Sequence, residues 1–132
     1  MIMAKVLVID DEATIRWAIE QTLRTAGHEV AVAETAAEGL ALFRQIRPDV
    51  VFLDIRLPDQ NGLVVLKQIE DEYGRETAVI VMSAFGEGSC TQEEALALGA
   101  QSCLNKPFRF DELDAVVADA LDAKRQCSRG RH

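Results

Sequence analysis

Short apolar runs alternate with longer amphipathic stretches along this chain, and the alternation repeats five times. The apolar runs are rich in β-branched residues and are too short for buried helices, so each predicts a strand. The predicted strands are residues 5–9, 29–33, 50–53, 78–82 and, more weakly, 102–104. Residues 5–9 and 78–82 are apolar on both sides, so we expect these two strands to lie in the interior of a sheet, whereas residues 29–33 alternate between polar and apolar positions.

The stretches between the runs have the period of helices. In residues 13–26, Ile15, Ile19 and Leu23 recur at four-residue spacing, which predicts one apolar face on a first helix. Thr35 precedes Glu38 by three residues, a pattern typical of a helix start, and the second helix should end before Pro48. The remaining predicted helices are residues 62–73, 91–98 and 110–124.

Strands that alternate with helices predict a parallel sheet covered by helices on both faces. Five strand–helix units are too few for a closed barrel, so we predict an α/β fold, a doubly wound sandwich. In such sheets, ligands bind at the carboxyl ends of the strands. The residues that follow each strand are therefore the candidates for chemistry.

Length and composition limit the possibilities further. The 132 residues predict one domain at 1–124, followed by a flexible tail or linker stub at 125–132. No apolar run approaches the roughly 20 residues that cross a bilayer, and no signal-peptide cleavage pattern is present. We therefore expect no membrane contact. The odd number of cysteines, three, without metal-ligand spacing, indicates a reduced cytoplasmic protein. A net charge of −8 argues against direct nucleic acid binding by this domain.

The candidate polar residues come from the ends of four predicted strands. The first strand ends in Asp10 and Asp11, the third in Asp54, the fourth in Ser83 and the fifth just before Lys106. Each acid alone is explained by the preference of Asp for turns. Together they place three carboxylates and one lysine at one edge of the sheet, and an oxygen-only site of this kind suits a hard cation. The pattern predicts a Mg²⁺ site.

The same residues carry a family resemblance. The segments 6–12, 54–62, 82–84 and 106–108 resemble the receiver domain of bacterial two-component response regulators, over most of the chain and in order. The resemblance implies a flavodoxin-like sheet of strand order 2-1-3-4-5 with five helices. Residues 15–17 and 54–56 look most like receivers of nitrogen-regulator-type, enhancer-binding transcription activators.

The resemblance also implies a role for each residue at the strand ends. Asp54 would be the phosphoacceptor, attacking the phosphohistidine of a sensor histidine kinase or phosphotransfer protein. Asp11 and Asp54 would bind Mg²⁺ directly with the carbonyl of Arg56, and Asp10 would act through water. Two further residues would contact the phosphoryl group, Lys106 by neutralising charge and Ser83 by donating a hydrogen bond.

One position departs from the family. Cys103 stands three residues before Lys106, where the family usually has an aromatic residue that reports phosphorylation. Phe85 is a candidate substitute for that ring. Elsewhere, we interpret Trp17 as a half-buried helix residue and His28 as a solvated residue in a turn.

These observations favour a phosphorylated switch over a turnover enzyme. An aspartyl-phosphate hydrolase needs a second Asp two residues after the nucleophile, and Arg56 stands there. A nucleotide-binding module needs a glycine-rich loop after the first strand, where this chain has acids. A receiver-like interaction module that no longer depends on phosphorylation stays open, as does a homodimer through the face formed by the fourth helix, fifth strand and fifth helix.

Overall fold

A five-stranded parallel sheet forms the centre of the computed structural model, which describes residues 3–73, 77–84, 92–106 and 108–129. Its strand order is 2-1-3-4-5, and the predicted doubly wound α/β fold is confirmed. The strands are β1 Lys5–Ile9, β2 Glu29–Ala33, β3 Val50–Asp54, β4 Ala78–Ala84 and β5 Ser102–Lys106.

Helices connect the strands and cover both faces of the sheet. They are α1 Ala13–Thr25, α2 Ala36–Ile46, α3 Gly62–Tyr73, α4 Gln92–Ala97 and α5 Leu113–Arg129, the last preceded by a short 3-10 helix at Phe110–Glu112. Within the described part of the chain, none of these helices combines the length and the apolar character needed to cross a membrane.

Alternate residues of each strand point into two separate apolar cores. On one face, Leu7, Leu53 and Val81 pack in a core with residues of α2 and α3 such as Phe43 and Leu66. On the other face, the intervening strand residues pack in a core with residues of α1 and α5. Because both faces of the strands are covered, the uninterrupted apolar runs in the sequence have a direct structural cause.

Several strand and helix ends differ from the predictions, most clearly those of β4, β5 and α5. β4 and β5 are each two residues longer than predicted, because Ser83 pairs with Asn105 and Ala84 with Lys106 in the parallel ladder. α5 continues to Arg129, so the prediction that this helix ends at residue 124 is wrong; no Gly or Pro interrupts residues 125–129. The division into a domain at 1–124 and a tail at 125–132 stays a prediction.

The start of α2 is held by side chains from two parts of the chain. Thr35 Oγ1 accepts a hydrogen bond from the Glu38 amide at 3.1 Å, as predicted. Asp59, in the loop between β3 and α3, accepts hydrogen bonds from the amides of Ala36 and Ala37 at 2.8 and 3.0 Å. These two bonds lower the pKa of Asp59. The loop that follows Asp54 is therefore fixed to the neighbouring helix.

The burial of two residues differs from the prediction. His28 is buried: its Nδ1 accepts a hydrogen bond from the Ala4 amide at 3.0 Å, and its Nε2 lies 2.8 Å from Asp114 Oδ1. Since Nδ1 is an acceptor, Nε2 carries the proton and donates to Asp114. Trp17 is 62% exposed because it lies across α1 from the buried Ile19. The interpretations of His28 as solvated and of Trp17 as half-buried are wrong.

Gly62 allows the first turn of α3 to lie directly against the end of β3. Its amide donates to the Ile55 carbonyl at 2.6 Å, and a Cβ at this position would overlap the Asp54 carbonyl oxygen and lie 2.7 Å from Ile55 Cα. At Gly39, in contrast, an added Cβ would meet only the side chain of Ile9, at 2.5 Å.

We predict that Gly62→Ala lowers the free energy of unfolding by about 3 kcal/mol or more, because backbone atoms must shift. Gly39→Ala is the matched control, since its added Cβ would meet the buried side chain of Ile9 and no backbone atom among its nearest neighbours, and Ala gains about 1 kcal/mol of helix propensity. Urea unfolding of both variants checks the order. A Gly39→Ala variant less stable than Gly62→Ala would contradict it.

Candidate functional site

The carboxyl ends of four strands meet at one edge of the sheet. Ile9 pairs with Leu53 in the register of β1 and β3, so the residues that follow them, Asp10 and Asp54, are neighbours. Lys106, at the end of β5, reaches both carboxylates. The structure therefore brings together residues that are far apart in the sequence.

Asp10 is fully buried and held from several sides. Its Oδ1 accepts a hydrogen bond from the Glu12 amide at 2.8 Å, and its Oδ2 accepts one from Lys106 Nζ at 2.8 Å. Its backbone carbonyl accepts a hydrogen bond from Arg16 Nη1 at 2.8 Å. These contacts fix both the carboxylate and the turn from β1 into α1.

Asp54 is 5% exposed, and its negative charge has fewer and longer polar contacts than that of Asp10. Its Oδ1 accepts a hydrogen bond from the Arg56 amide at 3.2 Å, and its Oδ2 lies 3.4 Å from Lys106 Nζ. Burial and the negative charge of Asp10 raise the pKa of Asp54 to about 6, against the opposing effect of Lys106. Asp54 is therefore a more basic carboxylate than an exposed one, although it is still mainly ionised above neutral pH.

Lys106 is surrounded by three carboxylates. Its Nζ lies 2.8 Å from Asp10, 3.2 Å from Glu12 and 3.4 Å from Asp54, and its side chain is only 12% exposed. Burial works against the charged form, but the hydrogen bond to Asp10 and the charges of Asp10 and Asp54 outweigh it and raise the pKa of Lys106. Lys106 thus stays an ammonium ion at neutral pH.

Glu12 belongs to this cluster, and the sequence interpretation did not include it. One carboxylate oxygen from each of Asp10, Glu12 and Asp54 lies within 4.8 Å of the other two. Glu12 occupies the N-cap position of α1 without a side-chain capping bond, so its carboxylate is directed to Lys106 instead. Asp11 is exposed and is not in the cluster that the described residues form. The sequence signal that could have identified Glu12 was its position, an acidic residue only two residues after Asp10 at the end of β1.

The other predicted site residues have different surroundings. Ser83, at the end of β4, is partly exposed and donates a hydrogen bond to Asn105 Oδ1 at 3.4 Å. Arg56 forms an isolated antiparallel bridge with Asn61 in the loop after β3. Cys103 is partly buried and packs against the core that contains α3 residues. Phe85, the candidate substitute for an aromatic at position 103, lies outside the described residues.

The donors at this edge fit a hard divalent cation. Three carboxylates surround one ammonium ion, which leaves two negative charges uncompensated when all four groups are ionised. Carboxylate and carbonyl oxygens without thiolate or imidazole nitrogen are the donors that Mg²⁺ prefers. Burial and, after it, the negative charge of Asp10 raise the pKa of Asp54, so a cation would relieve a repulsion that is already present.

Comparison with known proteins agrees with this geometry. The family model described as "Response regulator receiver domain" matches residues 6–118. The chain is 37% identical over 128 residues to the regulatory protein AtoC of Escherichia coli (strain K12), an alignment that covers 97% of this chain and 27% of that protein. It therefore spans only about a quarter of that relative.

A second relative has nearly the same length as this chain. The sporulation initiation phosphotransferase F of Bacillus subtilis (strain 168) is 33% identical over 126 residues, covering 94% of this chain and 98% of that protein. Among solved structures, NtrX from Brucella abortus superimposes with a TM-score of 0.89 at 32% identity, over 97% of this chain and 29% of that one.

The raised pKa of Asp54 predicts a pH-dependent gain in stability for Asp54→Asn. The folded state binds the Asp54 proton more tightly than the unfolded state, so ionisation destabilises the fold as the pH rises from about 4 to about 6. The amide stays neutral, and we expect Asp54→Asn to raise the free energy of unfolding by about 1–2 kcal/mol at pH 7.5 and by about half as much at pH 5.

Urea unfolding with EDTA present checks this prediction at both pH values. Asp71→Asn is the control, since Asp71 is exposed and pairs only with Lys67 at 3.4 Å among the contacts described. It should change stability by less than about 1 kcal/mol at either pH. An equal gain for Asp54→Asn at pH 5 and pH 7.5 would show that charge is not the cause.

Proposed function

The chain belongs to the receiver domain family of response regulators, and we propose that it accepts a phosphoryl group on Asp54 from a histidine kinase or phosphotransfer protein. One observation carries this proposal: Asp54 is a buried, basic carboxylate next to the ammonium of Lys106. A nucleophile and a fixed positive charge are the two groups that phosphoryl transfer requires from a protein.

In the proposed step, an oxygen of Asp54 forms a bond to phosphorus while the bond from phosphorus to the donor imidazole nitrogen breaks. The electron pair of the broken bond stays on that nitrogen, and the product on this chain is an acyl phosphate. Lys106 lies 3.4 Å from Asp54 Oδ2, so it can neutralise charge on the transferred group without a large movement. The domain modifies its own side chain and acts as a switch.

We propose that Mg²⁺ binds beside Asp54. Asp11, Asp54 and the carbonyl of Arg56 would bind it directly, and Asp10 would act through water. When bound, the cation supplies positive charge to the phosphoryl oxygens. Asp10 contributes mainly by holding Lys106 and the turn after β1 in place, since both of its carboxylate oxygens already accept hydrogen bonds.

Ser83 is proposed to detect the phosphoryl group. Its hydroxyl makes one long hydrogen bond, to Asn105, and a hydroxyl can rotate to a new acceptor. The change would pass to the face formed by α4, β5 and α5. This face would control an output domain or a partner protein, with transcription as the proposed output, or would bind a second copy of the chain. A cytoplasmic location follows from this proposal, because the phosphodonors of such switches are cytoplasmic.

A second candidate is an interaction module that does not need phosphorylation. The observation that favours it is Cys103, whose small side chain cannot serve as a rotating aromatic ring. The experiments below separate the two candidates, because only the first requires a covalent change at Asp54.

We predict that acetyl phosphate with Mg²⁺ adds one phosphoryl group to the wild-type protein and none to Asp54→Ala. Intact-mass measurement at neutral pH checks the addition, and beryllofluoride with amide NMR provides a stable substitute. Lys106→Ala should keep both apolar cores, which do not contain Lys106, but should lower the free energy of unfolding because the buried Asp10 carboxylate loses its ammonium partner. It should also lose most of the beryllofluoride-induced shifts. A phosphoryl adduct on Asp54→Ala would overturn the assignment of the phosphoacceptor.

We predict that Mg²⁺ binds at the carboxyl edge and changes the amide shifts of residues 10–12 and 54–56. Asp11→Asn and Asp54→Asn should each weaken binding by at least about tenfold, because each removes a charged oxygen ligand. Asp71→Asn, which changes an exposed acid on α3, should leave the affinity unchanged. Amide shifts at the carboxyl edge that do not move at tens of millimolar Mg²⁺ would exclude the site.

A further inference from the structure

The loop between β3 and α3, residues 55–61, carries the backbone that lies against Asp54. The Arg56 amide donates a hydrogen bond to Asp54 Oδ1 at 3.2 Å. The loop is tied to the sheet at its base, where the Ile55 amide donates to the Met82 carbonyl at 3.1 Å. The rest of the loop extends beyond this base, so the position of the Arg56 backbone depends on contacts farther along the chain.

Contacts inside the loop do not by themselves fix its direction. Arg56 and Asn61 form an antiparallel bridge, which joins the two sides of the loop to each other. Leu57 packs against the apolar core that contains residues of α2 and α3, but apolar contacts are not directional. A directional contact with another element is made by Asp59.

Asp59 joins the far end of the loop to the start of α2. Its two carboxylate oxygens accept hydrogen bonds from the Ala36 and Ala37 amides at 2.8 and 3.0 Å. Both bonds favour the ionised carboxylate and lower the pKa of Asp59, although this residue is exposed. Pro58 has a fixed φ angle, which limits the flexibility of the short segment between this anchor and Arg56.

We propose that Asp59 is a positioning residue for the phosphorylation site, because its bonds to α2 hold the loop so that the Arg56 backbone stays against Asp54. This inference rests on the proposed function, in which the Arg56 carbonyl is a ligand of Mg²⁺. A loop without its anchor would present that oxygen correctly for only part of the time, and the apparent affinity for Mg²⁺ falls with that fraction.

The expected size of the effect follows from the distance along the chain. Loss of a hydrogen-bond partner of a metal ligand typically weakens metal binding by about 10- to 100-fold. Asp59 acts on the Arg56 carbonyl only through the intervening backbone, so we expect a smaller effect, about three- to tenfold.

Three substitutions separate the anchor from the charge of Asp59 and from the stability of α2. Asp59→Ala removes both bonds, whereas Asp59→Asn removes the charge and keeps one acceptor oxygen, and Asn bonds the amides at helix starts about as well as Asp. Thr35→Ala is the matched control. Thr35 Oγ1 accepts from the Glu38 amide of the same helix end at 3.1 Å, without a described bond to the loop. Neither Asp59 nor Thr35 belongs to the described apolar cores, so the fold should be kept.

The first measurement needs neither Mg²⁺ nor a phosphodonor. Amide NMR with EDTA present follows the hydrogen exchange of the Arg56 amide and the backbone mobility of the loop. We expect the Arg56 amide to exchange at least about threefold faster in Asp59→Ala than in the wild type. In Asp59→Asn and Thr35→Ala its exchange rate should stay within about twofold of the wild type.

The second measurement is a Mg²⁺ titration followed by the amide shifts of residues 10–12. We expect about three- to tenfold weaker binding in Asp59→Ala and a change of less than about twofold in the other two variants. Equal weakening in Asp59→Asn and Asp59→Ala would mean that charge is the cause, and would overturn the proposal. Equal weakening in Thr35→Ala would overturn it in favour of a general effect of α2 stability.

Failure of this proposal is distinguishable from failure of the proposed function. A wild type that binds no Mg²⁺ or is not modified at Asp54 by acetyl phosphate refutes the proposed function, while the metal-free exchange of the Arg56 amide still tests the anchor. A modified wild type, beside an Asp59→Ala variant with unchanged Arg56 exchange or unchanged Mg²⁺ affinity, refutes only the role of Asp59.

Discussion

The sharing of one ammonium ion among three carboxylates is the constraint on which this site depends. Lys106 cannot neutralise Asp10, Glu12 and Asp54 together, so the carboxyl edge of the sheet keeps an excess of negative charge. The fold tolerates this arrangement because the apolar cores on both faces of the sheet hold the strand ends in place. A cation bound at this edge would reduce the repulsion among the carboxylates.

The strand pattern and the strand-end residues could be predicted from the sequence because they depend on local rules. Continuous apolar runs indicate strands that are buried on both sides, and parallel strands place their carboxyl ends at one edge. These two rules were enough to bring Asp54 and Lys106 together, although they are far apart in the chain. The strand order came from the resemblance to a family, since periodicity alone does not specify which strands are neighbours.

The remaining features depend on contacts that a one-dimensional pattern does not contain. Which of two successive acids turns toward the lysine is decided by the turn between β1 and α1, and there Glu12 rather than Asp11 joins the cluster. His28 is buried because Asp114, from the distant α5, reaches its ring. These two cases require knowledge of the tertiary neighbours. Trp17 does not: it lies across α1 from Ile19, on the side opposite the apolar face, so the helical period already indicated its exposure.

The hydrogen bond between His28 and Asp114 has a mechanical consequence. It fixes the first turn of α5 to the turn between α1 and β2, and through the Ala4 amide to the segment entering the sheet. The next turns of α5 are held as well, because Val117 and Ala120 are buried in the core beside the sheet. Any change in the direction of α5 must therefore carry the turn between α1 and β2 with it, so these two parts of the chain are coupled although 86 residues separate His28 from Asp114.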